Sequence, residues 1–117
     1  MPVPINLAEK LTGVSDYWSP KIVASYNGND IMVVKVKGEF IWHSHEDTDD
    51  FFLVLNGKMR LATEQGDVMM GPGELFVVPR GVRHCPVAEE ETHLLLIEPA
   101  GTPNTGDRKT ATTKEAI

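Results

Sequence analysis

The sequence has a single cysteine, Cys85, so no disulfide can form within the chain. Its longest purely apolar run, residues 51–55, is far shorter than the roughly 20 residues that a membrane-spanning helix requires. Basic residues are also few, with 11 Lys and Arg against 17 Asp and Glu, and they are scattered along the chain. These absences exclude a disulfide scaffold and a membrane helix, and we expect neither nucleic acid nor a membrane as a partner.

The N-terminal residues 1–11 contain two prolines and a Glu-Lys pair where a secretory signal would need a basic start and an apolar core. We therefore expect a cytoplasmic protein. A chain of 117 residues that is 41% hydrophobic, with a net charge of −6, predicts one soluble globular domain with its own core. We divide it into an N-terminal arm (1–21), a core (about 22–100) and a polar C-terminal tail (101–117).

Turn residues recur about every eight to ten residues through the middle of the chain, for example at Asn56-Gly57 and at Gly71-Pro72-Gly73. The apolar, β-branched or aromatic runs between them predict strands at 31–37, 40–45, 51–55, 58–63, 68–70, 75–78, 84–88 and 92–97. The acidic residues 89–91 are interpreted as a turn between the last two. This spacing is typical of an antiparallel sandwich or barrel, so the predicted fold class is all-β.

The two ends of the chain have different character from its middle. Asn6 followed by Glu9 fits a helix N-cap with its capping-box partner, and Leu7 and Leu11 give one or two amphipathic turns, which predicts a short helix near residues 6–12. The tail consists mostly of Thr, Gly, Pro, Asn and charged residues with almost nothing to bury. Composition alone therefore predicts that the tail is mobile.

Histidines provide the clearest chemical signal. His43 and His45 are separated by one residue in a predicted strand, so their imidazoles project from the same face. The next strand begins near Asp50 and returns a carboxylate to them, and His84 follows a tight turn some forty residues later. His-X-His pairs also occur in strands that bind no metal, but three imidazoles and one carboxylate suit a divalent Fe, Mn, Ni, Cu, Co or Zn ion. From these residues alone, a metal site of His43, His45, Asp50 and His84 is one interpretation, and histidines with a structural role are the other.

The same residues carry a family resemblance. The run of Gly38, His43, His45, Asp50 and Gly57, followed by Gly73, Pro79, Gly81 and His84, resembles the two sequence motifs of the cupin superfamily. The stretches FFLVLNGKMRL and ELFVVPRGVRH are similar to small single-domain bacterial cupins of the conserved-barrel cupin 2 type. The resemblance covers residues 38–88 by motif and implies an antiparallel jelly-roll barrel, in which the ligands of both motifs meet on one metal.

The chain departs from the family pattern at three points. Asp50 stands where the family usually has glutamate, which is one methylene longer. Asp50 therefore either ligates from a shifted strand, reaches the metal through water, or leaves a site of three histidines. Ala88 replaces the family's asparagine, and the spacing from Gly38 to His43 is one residue shorter than the commonest one.

Strand parity predicts the walls of the metal pocket. Ile41 shares the face of the histidines, Phe52 and Val54 share that of Asp50, and Met32, Val34 and Val36 lie on the neighbouring strand. These apolar walls predict a small and mostly dry pocket. No second acid or base emerges from the sequence, so its catalytic residues stay unknown.

The resemblance implies two classes of function. One is a metal-dependent enzyme, a dioxygenase or an isomerase or lyase, that acts on a small oxygenated molecule. The other is a non-catalytic cupin that binds or senses a small-molecule ligand. The sequence has no Gly-x-Ser-x-Gly, phosphate-loop or dinucleotide fingerprint, so we expect the divalent transition metal and no organic cofactor.

Small cupins commonly form dimers, by exchanging terminal strands or by packing sheet against sheet. A barrel of this size also has exposed sheet edges, which favour pairing unless something covers them. We therefore expect a homodimer with a twofold axis, in which a terminal segment crosses to the partner and the metal pocket stays within one barrel.

Overall fold

The computed structural model describes residues 2–117, which form one short helix and eight strands. The helix is α1 (Leu7–Thr12), and the strands are β1 (Lys21–Tyr26), β2 (Asn29–Glu39), β3 (Asp50–Asn56), β4 (Met59–Thr63), β5 (Gly66–Met70), β6 (Leu75–Val78), β7 (His84–Pro99) and β8 (Glu115–Ala116). The predicted all-β class with a short N-terminal helix is confirmed. Within residues 2–117, no helix is long and apolar enough to cross a membrane.

Strand β7 is the centre of the sheet. Along one edge it pairs with β2 over nearly its whole length, and along the other it pairs first with β4, through residues 84–87, and then with β3, through residues 93–97. Strands β5, β6 and β1 extend the sheet beyond β4, β3 and β2, respectively. These pairings are antiparallel, as in a jelly roll, and the short pairing of β1 with β8 is parallel.

Two strand predictions are wrong in detail. Residues 40–45 form no strand, and they join the sheet through one isolated bridge between His43 and His84 and one hydrogen bond from the N–H of Phe40 to the carbonyl oxygen of Pro86. Residues 84–88 and 92–97 belong to the single strand β7, because the acidic residues 89–91 keep an extended backbone with their side chains in solvent. Two strands, β1 and β8, lie outside the segments predicted as strands.

The core lies between the inward faces of β2, β3, β4 and β7. In β3 the side chains alternate, so that Phe52 and Val54 are buried while Phe51 and Leu53 are partly exposed. Strand β2 departs from this period, because Met32, Val33 and Val34 are all buried. The cluster of buried apolar side chains consists of Val34, Val36, Phe52, Val54, Met59, Leu61, Met70, Val78, Ala88 and Leu94.

Polar contacts hold both ends of the chain. The helix α1 begins at Asn6, whose side chain accepts a hydrogen bond from the backbone N–H of Glu9 at 2.9 Å, as its capping pattern predicted. In the tail, β8 pairs with β1, and Nζ of Lys114 lies 2.5 Å from Oε1 of Glu98 on β7. The tail therefore packs on the sheet of its own chain, whereas its composition predicted a mobile segment. The exchange of a terminal segment between two chains stays a prediction.

Candidate metal centre

The four predicted ligand residues come together in the structure. His43, His45, Asp50 and His84 each offer one ligand atom, and these atoms all lie within 4.8 Å of one another. All four residues are buried. Asp50 is the first residue of β3 and His84 the first of β7, and the other two histidines lie in the loop that connects β2 to β3.

A reciprocal pair of backbone hydrogen bonds fixes His43 against His84. The N–H of His43 donates to the carbonyl oxygen of His84 at 3.0 Å, and the N–H of His84 donates to that of His43 at 2.9 Å. The predicted strand at 40–45 would have placed the imidazoles of His43 and His45 on one face. The bridge has the same result, because both imidazoles lie in one cluster.

The ring nitrogens of His43 and His84 have defined roles. Nδ1 of His43 lies 2.9 Å from the carbonyl oxygen of Ile41, and Nδ1 of His84 lies 2.9 Å from that of Val82. A carbonyl oxygen only accepts hydrogen bonds, so each Nδ1 carries a proton, and Nε2 is the ring nitrogen that remains for the cluster. This backbone support of Nδ1 is a common way of orienting metal-binding histidines.

Asp50 provides a test of whether the site fits a metal. Its Oδ2 lies 2.8 Å from Nε2 of His84 and 3.3 Å from Nε2 of His45. A carboxylate oxygen facing the lone pair of His84 at this distance is repelled unless the two share a cation, which is either a proton or a metal ion. Three imidazoles and one carboxylate are ligands that divalent transition metals prefer, so the donor set fits such an ion.

The pKa shifts at the site favour the protonation states that metal ligation requires. Burial lowers the pKa of His43 to about 4. Burial alone would raise the pKa of Asp50, but hydrogen bonds with His45 and His84 outweigh it and lower that pKa to about 2. Burial opposes charge on His45 as well, yet the hydrogen bond and negative charge of Asp50 raise its pKa above the ordinary value. At neutral pH the carboxylate is therefore ionised and the His43 ring is neutral, as metal ligation requires.

A cavity of about 50 Å³ opens beside three of the four residues, His43, His45 and Asp50. One water occupies roughly 10–15 Å³ on this measure, so the cavity has room for a ligand of only a few non-hydrogen atoms. Val34 and Phe52 line it, as predicted, together with aromatic rings of Trp18 and Phe40. The walls are thus mostly apolar.

Three residues predicted to line the pocket lie elsewhere. Met32 and Val54 are completely buried but are not part of the cavity wall, while Ile41 is 46% exposed on the surface. The parity argument fails for Ile41 because residues 40–42 are not in a strand. On β2, the wall is formed by Val34 and Val36.

Two polar residues of the cavity wall, Glu98 and Asn104, were not candidates from the sequence. Parity along β7 carries a signal for Glu98, because it follows Leu94 and Leu96 at a spacing of two and all three line the cavity. For Asn104 the sequence holds no such signal, since it lies in the tail, where no period exists.

Comparison with known proteins gives a family match over most of the sheet. Residues 30–98 match the family described as Cupin domain. Among solved structures, a cupin-2 domain containing protein from Shewanella frigidimarina NCIMB 400 is 40% identical, with a TM-score of 0.80, over 81% of this chain and 93% of that chain. Protein NMB1881 from Neisseria meningitidis is 32% identical, with a TM-score of 0.75, over 84% of this chain and 100% of that chain.

An enzyme of known activity shares the fold at lower identity. Hydroquinone 1,2-dioxygenase from Sphingomonas sp. TTNP3, solved in complex with 4-nitrophenol, is 16% identical, with a TM-score of 0.77. The match covers 85% of this chain but 33% of the dioxygenase chain. At this identity, the likeness extends to the fold alone.

Proposed function

Since this chain belongs to the cupin family, we propose that it binds a divalent transition metal and that the metal site acts on a small oxygenated molecule. The observation that carries the proposal is the convergence of four ligand atoms within 4.8 Å beside a cavity. Nε2 of His43, His45 and His84 would hold the ion, together with a carboxylate oxygen of Asp50.

The position of Asp50 supports direct ligation over the two alternatives that its short side chain left open. Its Oδ2 is within 3.3 Å of two imidazole nitrogens, so the carboxylate lies inside the donor cluster and needs no bridging water to reach it. The loss of one methylene relative to glutamate is compensated because Asp50 itself begins β3.

A divalent ion held there supplies either Lewis acidity toward a carbonyl or enediol oxygen or redox activation of dioxygen. The chain contributes a dry enclosure, since Val34, Phe52 and Leu94 face the same cavity as the ligands. Exclusion of water strengthens each polar contact that a bound substrate makes. We therefore propose a metal-dependent enzyme of the dioxygenase or isomerase and lyase type, with a substrate of few non-hydrogen atoms.

The alternative is a non-catalytic cupin that binds or senses a small molecule. The position of the tail favours this function, because Asn104 closes part of the cavity wall and would slow the release of a ligand. Retention of a ligand suits a sensor better than a rapid enzyme.

Elemental analysis tests the metal site directly. Protein purified without a histidine tag, stripped of metal and offered Fe, Mn, Co, Ni, Cu and Zn separately, should retain about one ion per chain. The double variant His43→Ala, His84→Ala should retain none, whereas His93→Ala, which removes a histidine outside the cluster, should behave as wild type. Full retention by the double variant would contradict the proposal.

Oxygen uptake separates the classes of function. The metal-loaded protein is incubated with small enols, catechols and diketones, and dioxygen consumption and product are followed together. Consumption identifies a dioxygenase, and conversion without consumption identifies an isomerase or lyase. Binding of one of these compounds without conversion supports the sensory alternative.

We further propose a homodimer that packs sheet against sheet. The outward face of β3, β6 and β7 is apolar, and Leu75 and Val77 on β6 are 56% and 41% exposed. Cross-strand pairs of Phe51 with Val77 and of Leu53 with Leu75 make this face continuous. A continuous apolar face on a sheet is typical of an association surface, and the metal pocket would stay within one barrel. Cytoplasmic location stays a prediction from the sequence.

A further inference from the structure

Glu98 is a buried carboxylate on the wall of the metal cavity. Its exposed fraction is 5%, and it stands outside the group of four ligand atoms. Leu94 and Leu96 precede it on the same face of β7, so its carboxylate is the polar end of an otherwise apolar wall. A buried carboxylate is costly unless it has a partner, and one on the wall of a cavity is a candidate for function.

Lys114 in the tail provides that partner. Its Nζ lies 2.5 Å from Oε1 of Glu98, and it also donates to the carbonyl oxygen of Thr102. Both side chains of the ion pair are nearly inaccessible to solvent, with exposed fractions of 10% for Lys114 and 6% for Glu98. The ammonium group therefore fixes one oxygen of the carboxylate in place.

The other oxygen of Glu98 is left available. Among residues 2–117, Oε2 has no hydrogen-bond partner. Every completely buried side-chain nitrogen or oxygen in these residues has a partner, so Oε2 keeps some exposure to solvent. Glu98 lines the metal cavity, and Oε2 is the oxygen that its ion pair with Lys114 leaves free for an occupant of that space. An acceptor without a partner, beside a metal centre, is positioned to receive a hydrogen bond from whatever occupies the cavity.

The charges that face Glu98 are those of Lys114 from the tail and of His45 and Asp50 from the metal site. Burial raises the pKa of Glu98, the charge of Lys114 opposes that rise, and the charge of Asp50 adds to it. The net rise makes the carboxylate a better proton acceptor than an ordinary surface glutamate.

We propose that Glu98 accepts a proton from a hydroxyl group of the substrate and that Lys114 positions the carboxylate for this transfer. The inference rests on the proposed function of the metal site and adds the residue that the site's own ligands do not provide. In the step, the O–H bond of the substrate breaks, the proton bonds to Oε2, and the electron pair stays on the substrate oxygen. The substrate class is a small compound with an acidic hydroxyl group beside a second oxygen, such as an enol or an α-hydroxycarbonyl.

The tail is seated closely enough to keep Lys114 in place. A Cβ atom built on Gly106 would lie 2.0 Å from the carbonyl oxygen of Ser44, which separates His43 from His45 in the chain. The tail packs directly against the loop that carries two of the ligands, so a displacement of the tail alters the wall of the cavity. Lys114 is therefore a positioning residue for Glu98.

Proton release on ligand binding tests the role of Glu98. The probe is acetohydroxamic acid, which has two adjacent oxygens and an acidic hydroxyl, and the protein is loaded with Co²⁺. Calorimetric titrations in two buffers of different ionisation enthalpy give the number of protons released. The wild type should release about none, because Glu98 takes the proton, whereas Glu98→Gln should release about one to the buffer. The control Glu89→Gln, on an exposed residue of the same strand, should behave as wild type.

Variants of Lys114 test its positioning role. Lys114→Met should bind the hydroxamate about tenfold more weakly, since a charge-assisted contact that orders Glu98 is lost. Its proton release should rise above that of the wild type, a change that a merely loosened tail would not produce. Lys114→Arg keeps the positive charge, so its affinity for the hydroxamate and its proton release should lie between those of the wild type and those of Lys114→Met.

The outcomes separate this inference from the metal proposal. If wild type and Glu98→Gln both bind Co²⁺ and release equal numbers of protons, Glu98 is not the acceptor and the metal proposal stands. Loss of Co²⁺ from Glu98→Gln would also overturn the inference, because it would make Glu98 a ligand or a structural support. If the wild type binds no Co²⁺, the metal proposal fails and this inference fails with it.

Discussion

His43 and His84 are oriented by the same local device. In each case Nδ1 donates to the carbonyl oxygen two residues earlier, that of Ile41 or of Val82. The backbone thus fixes the ring orientation without using a second side chain. The path of the backbone through residues 41 and 82 therefore sets both ring orientations.

Shortening Asp50 should weaken metal binding. Asp50→Ala removes the only carboxylate of the ligand cluster, and we expect the affinity to fall by at least about tenfold to a hundredfold, whereas Asp50→Glu should keep most of it. Competition with a chromophoric chelator measures the affinity. The matched control is Asp49→Ala, which removes the adjacent carboxylate that accepts from the backbone of Arg80. Equal affinities for Asp50→Ala and wild type would place Asp50 outside the coordination sphere.

Metal occupancy should fall as the pH is lowered through about 6 to 7, since a proton on an imidazole nitrogen removes the lone pair that the metal needs. Three shifts determine the order of protonation. The pKa of His45 lies above its ordinary value, so this ring is protonated before that of His43. The pKa values of His43 and Asp50, about 4 and about 2, keep these two groups able to bind metal at mildly acid pH. Equilibrium dialysis near the dissociation constant measures the occupancy. Constant occupancy down to pH 4 would show that His45 is not a ligand.

The sequence predicts the ligand cluster but not the whole cavity. His43, His45, Asp50 and His84 are identified because closely spaced residue types carry the signal. Glu98 follows Leu94 and Leu96 at a spacing of two, but the strand predicted at 92–97 ends one residue before it and so did not include it.

At the scale of elements, hydrogen bonding to a neighbouring strand decides where strands form more than local composition does. Residues 89–91 have no apolar side chain to bury, yet β7 continues through them because β2 remains beside it, with Gly38 opposite Ala88 and Val36 opposite Thr92. Residues 40–45 show the reverse, since they have strand-like composition but only one bridge to the sheet. Neither outcome could be predicted from local patterns, because each depends on the neighbouring strand.

In the turn between β3 and β4, Gly57 packs closely against β7. Gly57 has a φ of +92°, and a Cβ built there would lie 2.6 Å from Oγ1 of Thr92, which is completely buried and donates to the carbonyl oxygen of Lys58. We expect Gly57→Ala to lower the free energy of unfolding by about 2–4 kcal/mol, through backbone strain and through the displaced hydroxyl.

Urea denaturation measures this loss. The control is Gly28→Ala, where φ is +77° and no atom lies within 4 Å of the built Cβ, so only the backbone strain of about 1 kcal/mol applies. Equal losses in the two variants would show that the contact with Thr92 contributes nothing.

At the scale of the whole molecule, the outward apolar face predicts how chains associate. Leu75→Glu places a charge on that face, and we expect it to convert the dimer to a monomer in light scattering at micromolar concentration. The control Met69→Glu changes an apolar residue of β5 that is 68% exposed on a different strand, and it should stay dimeric. A dimeric Leu75→Glu protein, or a monomeric wild type, would contradict this assembly.

One tryptophan gives the molecule a built-in optical reporter. Trp18 lines the metal cavity, its ring stacks on Phe40 with centroids 4.9 Å apart, and its Nε1 donates to the carbonyl oxygen of Lys37 at 2.9 Å. The second tryptophan, Trp42, is 45% exposed, so Trp42→Phe leaves a protein whose fluorescence comes from the cavity wall. Co²⁺ or Cu²⁺ in the site should quench this emission and Zn²⁺ should leave it bright, so that metal entry and ligand exchange can be followed by light without a label.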